Sequence, residues 1–469
     1  MLFNSLTFLV FFSVVFLTFW SVSGVGLRLW ILLGSSLLFY ASWSLRHTFF
    51  LVLSLLINYA MLEGFRRTPR YARALLWAGV VFNLGTLGMF KYWAFARENF
   101  QALLGALGAS VVVPSLSLAA PLGISFYTFH VLSCIVDAYR GKRIHFAGVR
   151  DFFAYVTFFP QLIAGPIVRF DEFIPQIPNL SRRLSEHPVL PGLKRVVVGV
   201  TKKVLIADWL ATLVDPVFES PGQFSSVANL VVVYAYAFQI YFDFSGYCDI
   251  AVGVASLLGI RLPENFQQPY LSKGITEFWH RWHITLSRWL RDYVYIPLGG
   301  NRSSVARTYA NLMITMLLGG LWHGASWNFV LWGAVHGAAL ALAKGARTWM
   351  PRTCHAWDNL PAPVSAFLTF QFVSATWILF RGQHLAVVKV LVGKIASLGF
   401  TPDGLASIAL VSVGAFGLYF LVHSLGVRCL AYMPATRTGA ALAGIGLGIW
   451  LVGACLLVAP GAEFIYFQF

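Results

Sequence analysis

Long apolar runs follow one another along the whole chain, separated by short clusters of basic residues, glycine and proline. Runs at 5–22, 29–45, 48–62, 74–93, 118–137, 151–168, 197–214, 227–258, 305–320, 326–343, 363–380, 406–425 and 438–458 all read as helices. A crossing needs about 20 mostly apolar residues, because lipid offers no partner to backbone N–H and C=O groups. Several runs are short, and 227–258 is too long for one simple crossing, so re-entrant or interfacial pieces are expected among them. The pattern predicts an all-α polytopic membrane protein with about eleven transmembrane helices plus such pieces. No internal repeat, low-complexity tract or soluble linker interrupts it, which predicts one membrane domain over 1–469. Residues 1–27 carry no charge. Without a basic n-region or a small-residue cleavage site, 2–22 reads as a retained first span rather than a signal peptide.

Composition removes the soluble alternatives. Hydrophobic residues make up 58% and charged residues 11%, where a soluble domain carries about 25% charge. The net charge of +16 could suggest nucleic acid, but that partner needs a solvated basic face. Here the cations cluster between apolar runs: Arg66, Arg67, Arg70 and Arg73; then Arg182, Arg183, Lys194, Arg195, Lys202 and Lys203; then Lys344, Arg347 and Arg352. That is the signature of cytoplasmic loops, and it predicts a lipid bilayer and no nucleic acid as partner. The five cysteines form no CxxC pair, which argues against a disulfide framework or a zinc site.

Residues 276–302 differ from their surroundings. On one continuous helix Trp279, Trp282, Leu286, Trp289, Leu290 and Tyr293 would share a face, with Arg281, Arg288 and Asp292 opposite. Tryptophans beside arginines predict an amphipathic helix lying at the membrane interface. His280 falls toward its polar side and His283 at the apolar edge. Two readings stand for His283: a tip that reaches water, or an imidazole aimed into the protein for proton chemistry.

A second stretch, 317–337, places His323 between Gly320 and Gly324 at the end of an apolar run. Ionisable groups at membrane depth are costly and tend to line pathways, and glycine lets backbone or a ligand approach closely. The alternative is a histidine hydrogen-bonded between packed helices, which is the favoured reading for His336. His283 and His323 together make a reasonable general-base pair. No carboxylate or cysteine stands at metal-ligand spacing beside them, and there is no GxSxG elbow, Walker loop or HExxH. Asp243 and Asp249 lie inside an apolar run with Tyr241 and Ser245. They line a passage, or they hold helices together through hydrogen bonds and ion pairs.

Residues 278–279, 281–284, 286–287, 289–293, 296–302 and 317–325, with PLGISFY (121–127), FFPQLIAGPIVRF (158–170), YFDFSGYCDIA (241–251), ENFQQPY (264–270) and FIYFQF (464–469), resemble the membrane-bound O-acyltransferase family. The likeness runs over nearly the whole chain. It is greatest to the bacterial branch that O-acetylates exopolysaccharides, alginate-type subunits among them. His280 stands where that branch commonly has Arg, and the polar loop at 426–437 is short, so alginate, cellulose and other polymers fit equally.

The resemblance implies helices around a central tunnel, with 276–343 as the catalytic core segment. It implies acetyl-CoA as donor, no permanently bound cofactor, and a multi-pass protein of the bacterial inner membrane. His323 matches the catalytic histidine, as general base or transient acyl carrier, and His283 the second signature position, as its orienting or proton-sharing partner. Burial keeps such an imidazole neutral and able to accept a proton. Trp322 and Asn328 would line the tunnel with Tyr241, Asp243, Ser245 and Asp249. Lys202, Lys203 and Arg281 would meet coenzyme A phosphates, unless they are solvated topology charges. Expected partners are an extracytoplasmic acetyltransferase of the SGNH-hydrolase type and a polysaccharide synthesis and export complex. A D-alanyl transferase acting on teichoic acid and a secondary transporter remain open.

Overall fold

A computed structural model describes the chain except residues 110, 117, 143–147, 181–182, 303, 383, 400, 432–436, 458–463 and 466–469, and except the side chains of 354, 356, 422–431, 437 and 440. Arg182, residues 432–436 of the expected 426–437 loop and the last four residues of FIYFQF therefore lie outside the described residues, while 426–431 and 437 are helical. The described chain is helical, without strands. It divides into two compact units, Met1–Val196 with Ile250–Pro263, and Val197–Asp249 with Glu264–Phe469.

The first unit begins with α1 (Leu6–Ser21), α2 (Val25–Ala41), α3 (Leu45–Arg67), α4 (Ala72–Leu87), α5 (Trp93–Ala106) and α6 (Ile124–Tyr139). A π-turn over Gly88–Tyr92 carries α4 into α5, so Pro69–Ala106 forms one long apolar rod. Asn58 of α3 and Asn83 of α4 are buried and exchange side-chain amide hydrogen bonds of 3.3 and 2.7 Å. Each thus meets a polar partner that lipid would not supply. Then come α7 (Val149–Thr157), α8 (Phe159–Leu162), α9 (Phe170–Phe173) and α10 (Val189–Val200).

The run 151–168, expected to span, does not. Its helix breaks at Phe158 before Pro160, and residues 151–168 are all buried. The segment is apolar because protein encloses it. Gly123 locks against it with φ +72°, where an added Cβ would lie 2.6 Å from the Leu162 carbonyl oxygen.

The second unit holds α11 (Asp208–Glu219) and most of α12 (Ser226–Leu257). It continues through α13 (Ile275–Arg281), α14 (Ile284–Leu290), α15 (Val305–His323), α16 (Trp327–Trp349), α17 (Pro351–Asp358), α18 (Ala362–Arg381), α19 (Leu385–Ala396), α20 (Pro402–Ala431) and α21 (Arg437–Leu456). The over-long run 227–258 is one continuous helix, α12. Of its most apolar window 78% is buried, so protein rather than bilayer thickness sets its length.

Among the described residues six helices are long and apolar enough to cross a membrane: Leu45–Arg67, Pro69–Ala106, Ser226–Leu257, Trp327–Trp349, Ala362–Arg381 and Pro402–Leu421. Leu6–Ser21, Val25–Ala41, Ile124–Tyr139 and Ala441–Leu456 are shorter apolar helices. The chain is a multi-pass membrane protein.

The expected amphipathic helix over 276–293 is overturned. It breaks between α13 and α14, and Arg291–Tyr295 then follows as a π-turn. Trp279, Trp282 and Trp289 are 9%, 1% and 7% exposed, so they fill the protein core instead of facing lipid. A wheel drawn for one helix loses its register at such a break.

Candidate active site

The break between α13 and α14 positions His283. Its φ is +43°, a left-handed conformation that bulky residues rarely adopt. Such a backbone costs about 1–3 kcal/mol and persists only where its surroundings hold it. The ENFQQPY segment does the holding. Gln267 N–H donates to the Arg281 carbonyl at 2.9 Å, and Ile284 N–H to the Asn265 carbonyl at 3.0 Å. The Asn265 side-chain oxygen accepts from the Thr285 N–H at 3.1 Å and the Thr285 hydroxyl at 2.9 Å, and it lies 3.1 Å from His283 Nδ1. An amide oxygen only accepts, so His283 carries its hydrogen on Nδ1 and its lone pair on Nε2. The neutral imidazole thus presents the nitrogen a general base needs. The residue is fully buried, which removes the water-reaching alternative. His280, by contrast, is exposed.

His323 ends α15, and Gly324 turns the chain out of the helix. It is buried among the rings of Trp332, Phe380 and Phe329, at centroid distances of 5.3, 4.9 and 6.4 Å. Trp322 joins the two histidines. Its ring is 5.7 Å from His283 and 5.0 Å from His323, edge-on to both. Residues forty positions apart in sequence therefore converge on one indole. Asn328 is buried at the start of α16, and its side-chain amide donates to the Gly382 carbonyl just beyond α18. It fastens the frame around His323.

The acidic residues of α12 have cationic partners. Lys203 Nζ lies 2.7 Å from both Asp208 and Asp243, and Asp243 also accepts from the Ile465 N–H at 2.7 Å. Lys202 bonds Asp249 at 2.6 Å and stands 6.0 Å over the Tyr241 ring. Arg281 bonds Glu277 at 2.6 Å. A phosphate at these cations would have to displace a carboxylate. Asp243 and Asp249 thus each make the kind of ion pair that the interhelical reading expects. Tyr241 packs among Phe266, Tyr270, Trp282 and Tyr419. The Ser245 hydroxyl is buried without a hydrogen-bond partner among the described residues.

Removing one member of a buried ion-pair network costs about 3–5 kcal/mol. Lys203→Met should therefore lower the thermal midpoint of the detergent-purified protein by several degrees. A wild-type midpoint with only a raised KM for the donor would instead make Lys203 a phosphate ligand.

Asn265 is the residue of this candidate site that the sequence alone does not single out. Its motif was visible, but nothing along the chain says that one amide oxygen meets both His283 and Thr285.

Known proteins extend this picture. A profile of the membrane-bound O-acyltransferase family matches residues 116–381, which contain both histidines and the Asn265 clamp. The chain is 39% identical over 447 residues to a probable alginate O-acetylase AlgI of Azotobacter vinelandii, covering 93% of this chain and 87% of the relative. It is 37% identical over 396 residues to a peptidoglycan O-acetyltransferase of Helicobacter pylori, covering 78% and 73%. A teichoic acid D-alanyltransferase of Streptococcus thermophilus is 30% identical over 317 residues, covering 62% of this chain and 76% of its own. The matched span, the extent of these likenesses and the buried histidine pair agree: the chain belongs to the membrane-bound O-acyltransferase family.

Proposed function

We propose that this O-acyltransferase takes acetyl from cytoplasmic acetyl-CoA and passes it across the bacterial inner membrane for O-acetylation of an exopolysaccharide such as alginate or cellulose. The carrying observation is the convergence of His283 and His323 on Trp322 within the family-matched region. The greater identity to the O-acetylating relatives than to the D-alanyl transferase favours acetyl as cargo.

A thioester is already activated, so the enzyme needs a base for the accepting hydroxyl and a dry, shaped site. His323 acts as that base, or carries the acetyl if the relay is stepwise. His283, set by Asn265, orients it or shares its proton. Moving whole coenzyme A across lipid would drag several phosphate charges through hydrocarbon. Only the pantetheine arm therefore enters, along a tunnel from the cytoplasmic face, with 1–469 working as one membrane domain. An extracytoplasmic acetyltransferase of the SGNH type collects the acetyl at the other mouth and hands it to the polymer-export machinery.

The test is transfer from purified protein. Radiolabelled acetyl-CoA should lose its acetyl group to an acceptor with release of coenzyme A, while D-alanyl donors give no product. Release that needs a gradient rather than an acceptor would mark a transporter. The histidine pair makes a further prediction. Residues that act as a unit are not additive. The His283→Ala, His323→Ala double variant should be scarcely slower than the worse single variant in single-turnover assays. Multiplicative losses would mean that the two act separately.

A further inference from the structure

A groove of about 910 Å³ opens in the second unit between α13, α16, α17 and α18. Its lining includes the apolar Ile275, Leu340, Ala343 and Phe372, the cations Lys273, Lys344 and Arg347, and the carboxylates Glu277 and Asp358, the last 3.7 Å from Arg347. Apolar surface with cations beside it suits a ligand with anionic groups at one end and a slender arm at the other. The groove ends at Leu340 and Phe372, one helical turn short of the buried His336 and Thr376. On α16, His336 and Trp332 follow Leu340 at four-residue steps; on α18, Thr376 and Phe380 follow Phe372 likewise. Residues four apart share a helix face, and α16 packs along α18. The two faces thus run from the groove, past His336 and Thr376, to Trp332 and Phe380, which are the rings against His323. The step from Leu340 to Trp332 is about 12 Å of helix.

Three polar atoms along this line lie close together without partners among the described residues. His336 is fully buried, and its Nε2 lies 3.0 Å from the Thr376 hydroxyl. That hydroxyl already donates to the Val373 carbonyl at 2.7 Å. His336 therefore donates through Nε2, and Nδ1 is a bare acceptor. Nδ1 has no partner among the described residues, nor do the indole N–H groups of Trp279 and Trp332. These three rings lie 4.6 to 5.7 Å from one another. Orphaned polar atoms are costly in a membrane interior, and three together call for a common ligand. One acceptor beside two donors is the complement of an amide, whose N–H donates and whose carbonyl has two lone pairs.

We propose that this groove admits the acyl donor's amide-bearing arm, and that His336, Trp279 and Trp332 read one of its amides on the way to His323. The inference rests on the coenzyme A reading above. His336 acts here as a positioning residue, and Lys273 and Lys344 receive the donor's phosphates.

The test uses the detergent-purified full chain and two probes: coenzyme A, and adenosine 3′,5′-bisphosphate, which lacks the arm. His336→Phe keeps the ring and removes the acceptor. Trp279→Phe removes one N–H. Calorimetric titration should give an affinity for coenzyme A about tenfold weaker in His336→Phe and severalfold weaker in Trp279→Phe, with the bisphosphate unchanged in both. Unchanged coenzyme A affinity overturns the proposal. So does equal weakening for both probes, which would make His336 a purely structural residue. If the wild-type protein binds neither probe, the coenzyme A reading itself fails.

Discussion

Replacing His323 by alanine should abolish acetyl transfer while the protein inserts and accumulates as wild type. Removing a positioned general base costs about 10²–10⁴ in rate, and loss of an acyl carrier would cost the whole reaction. The imidazole lies in an aromatic cage of Trp322, Phe329, Trp332 and Phe380. Those rings pack against one another as well, as the 5.4 Å separation of Trp332 and Phe380 shows. Alanine therefore leaves a hole without dismantling the cage. The readout is polymer-bound acetate in cells at matched expression, with the thermal midpoint of purified protein as the check on folding. Wild-type acetate with a normal midpoint removes His323 from the chemistry.

The second large effect is on stability, at Gly320. A Cβ there would lie 2.2 Å from the Phe329 carbonyl oxygen, and one on Gly333 would lie 2.4 Å from the Met316 carbonyl oxygen. The obstacle is backbone in both cases, so no side chain can rotate away. Overpacking costs about 1–3 kcal/mol where side chains can yield, and Gly320→Ala should exceed that range. The neighbouring Gly319→Ala is the control, because its Cβ would meet only Leu290 Cδ1, at 3.2 Å. Membrane-inserted protein and its thermal midpoint should fall sharply for the first and little for the second. Equal behaviour would mean that the α15–α16 contact is looser than described.

Membrane character was legible in the sequence because apolar length is a one-dimensional property. The runs at 326–343 and 363–380 coincide with α16 and α18, which are long and apolar enough to cross a membrane, whereas α15, which covers 305–320, is not among the described helices that are. Legibility failed where apolar residues serve enclosure, as at 151–168, and where a backbone break resets the helical register, as at His283. Periodicity records which residues avoid water but not whether lipid or protein replaces it. The two histidines stood out because titratable groups are rare in such runs. Their meeting on Trp322 was invisible, since it depends on how α14 and α15 pack. The lysines misled for the same reason. Lys202 and Lys203 read as loop charge, and their carboxylate partners lie five or more positions away, two of them on α12.

The interlock of Gly320 with Phe329 and of Gly333 with Met316 also bears on how the protein is made. α15 leaves the ribosome first, with a histidine at its trailing end and nothing yet to cover it. Until α16 has been synthesised, that end would face hydrocarbon alone, a costly arrangement for an ionisable group. The connection between the helices is only Gly324–Ser326, so the mate arrives almost at once and fits in a single register. The covering of His323 and the packing of α15 thus depend on the same partner, and this stretch of chain is completed as a helical hairpin rather than helix by helix.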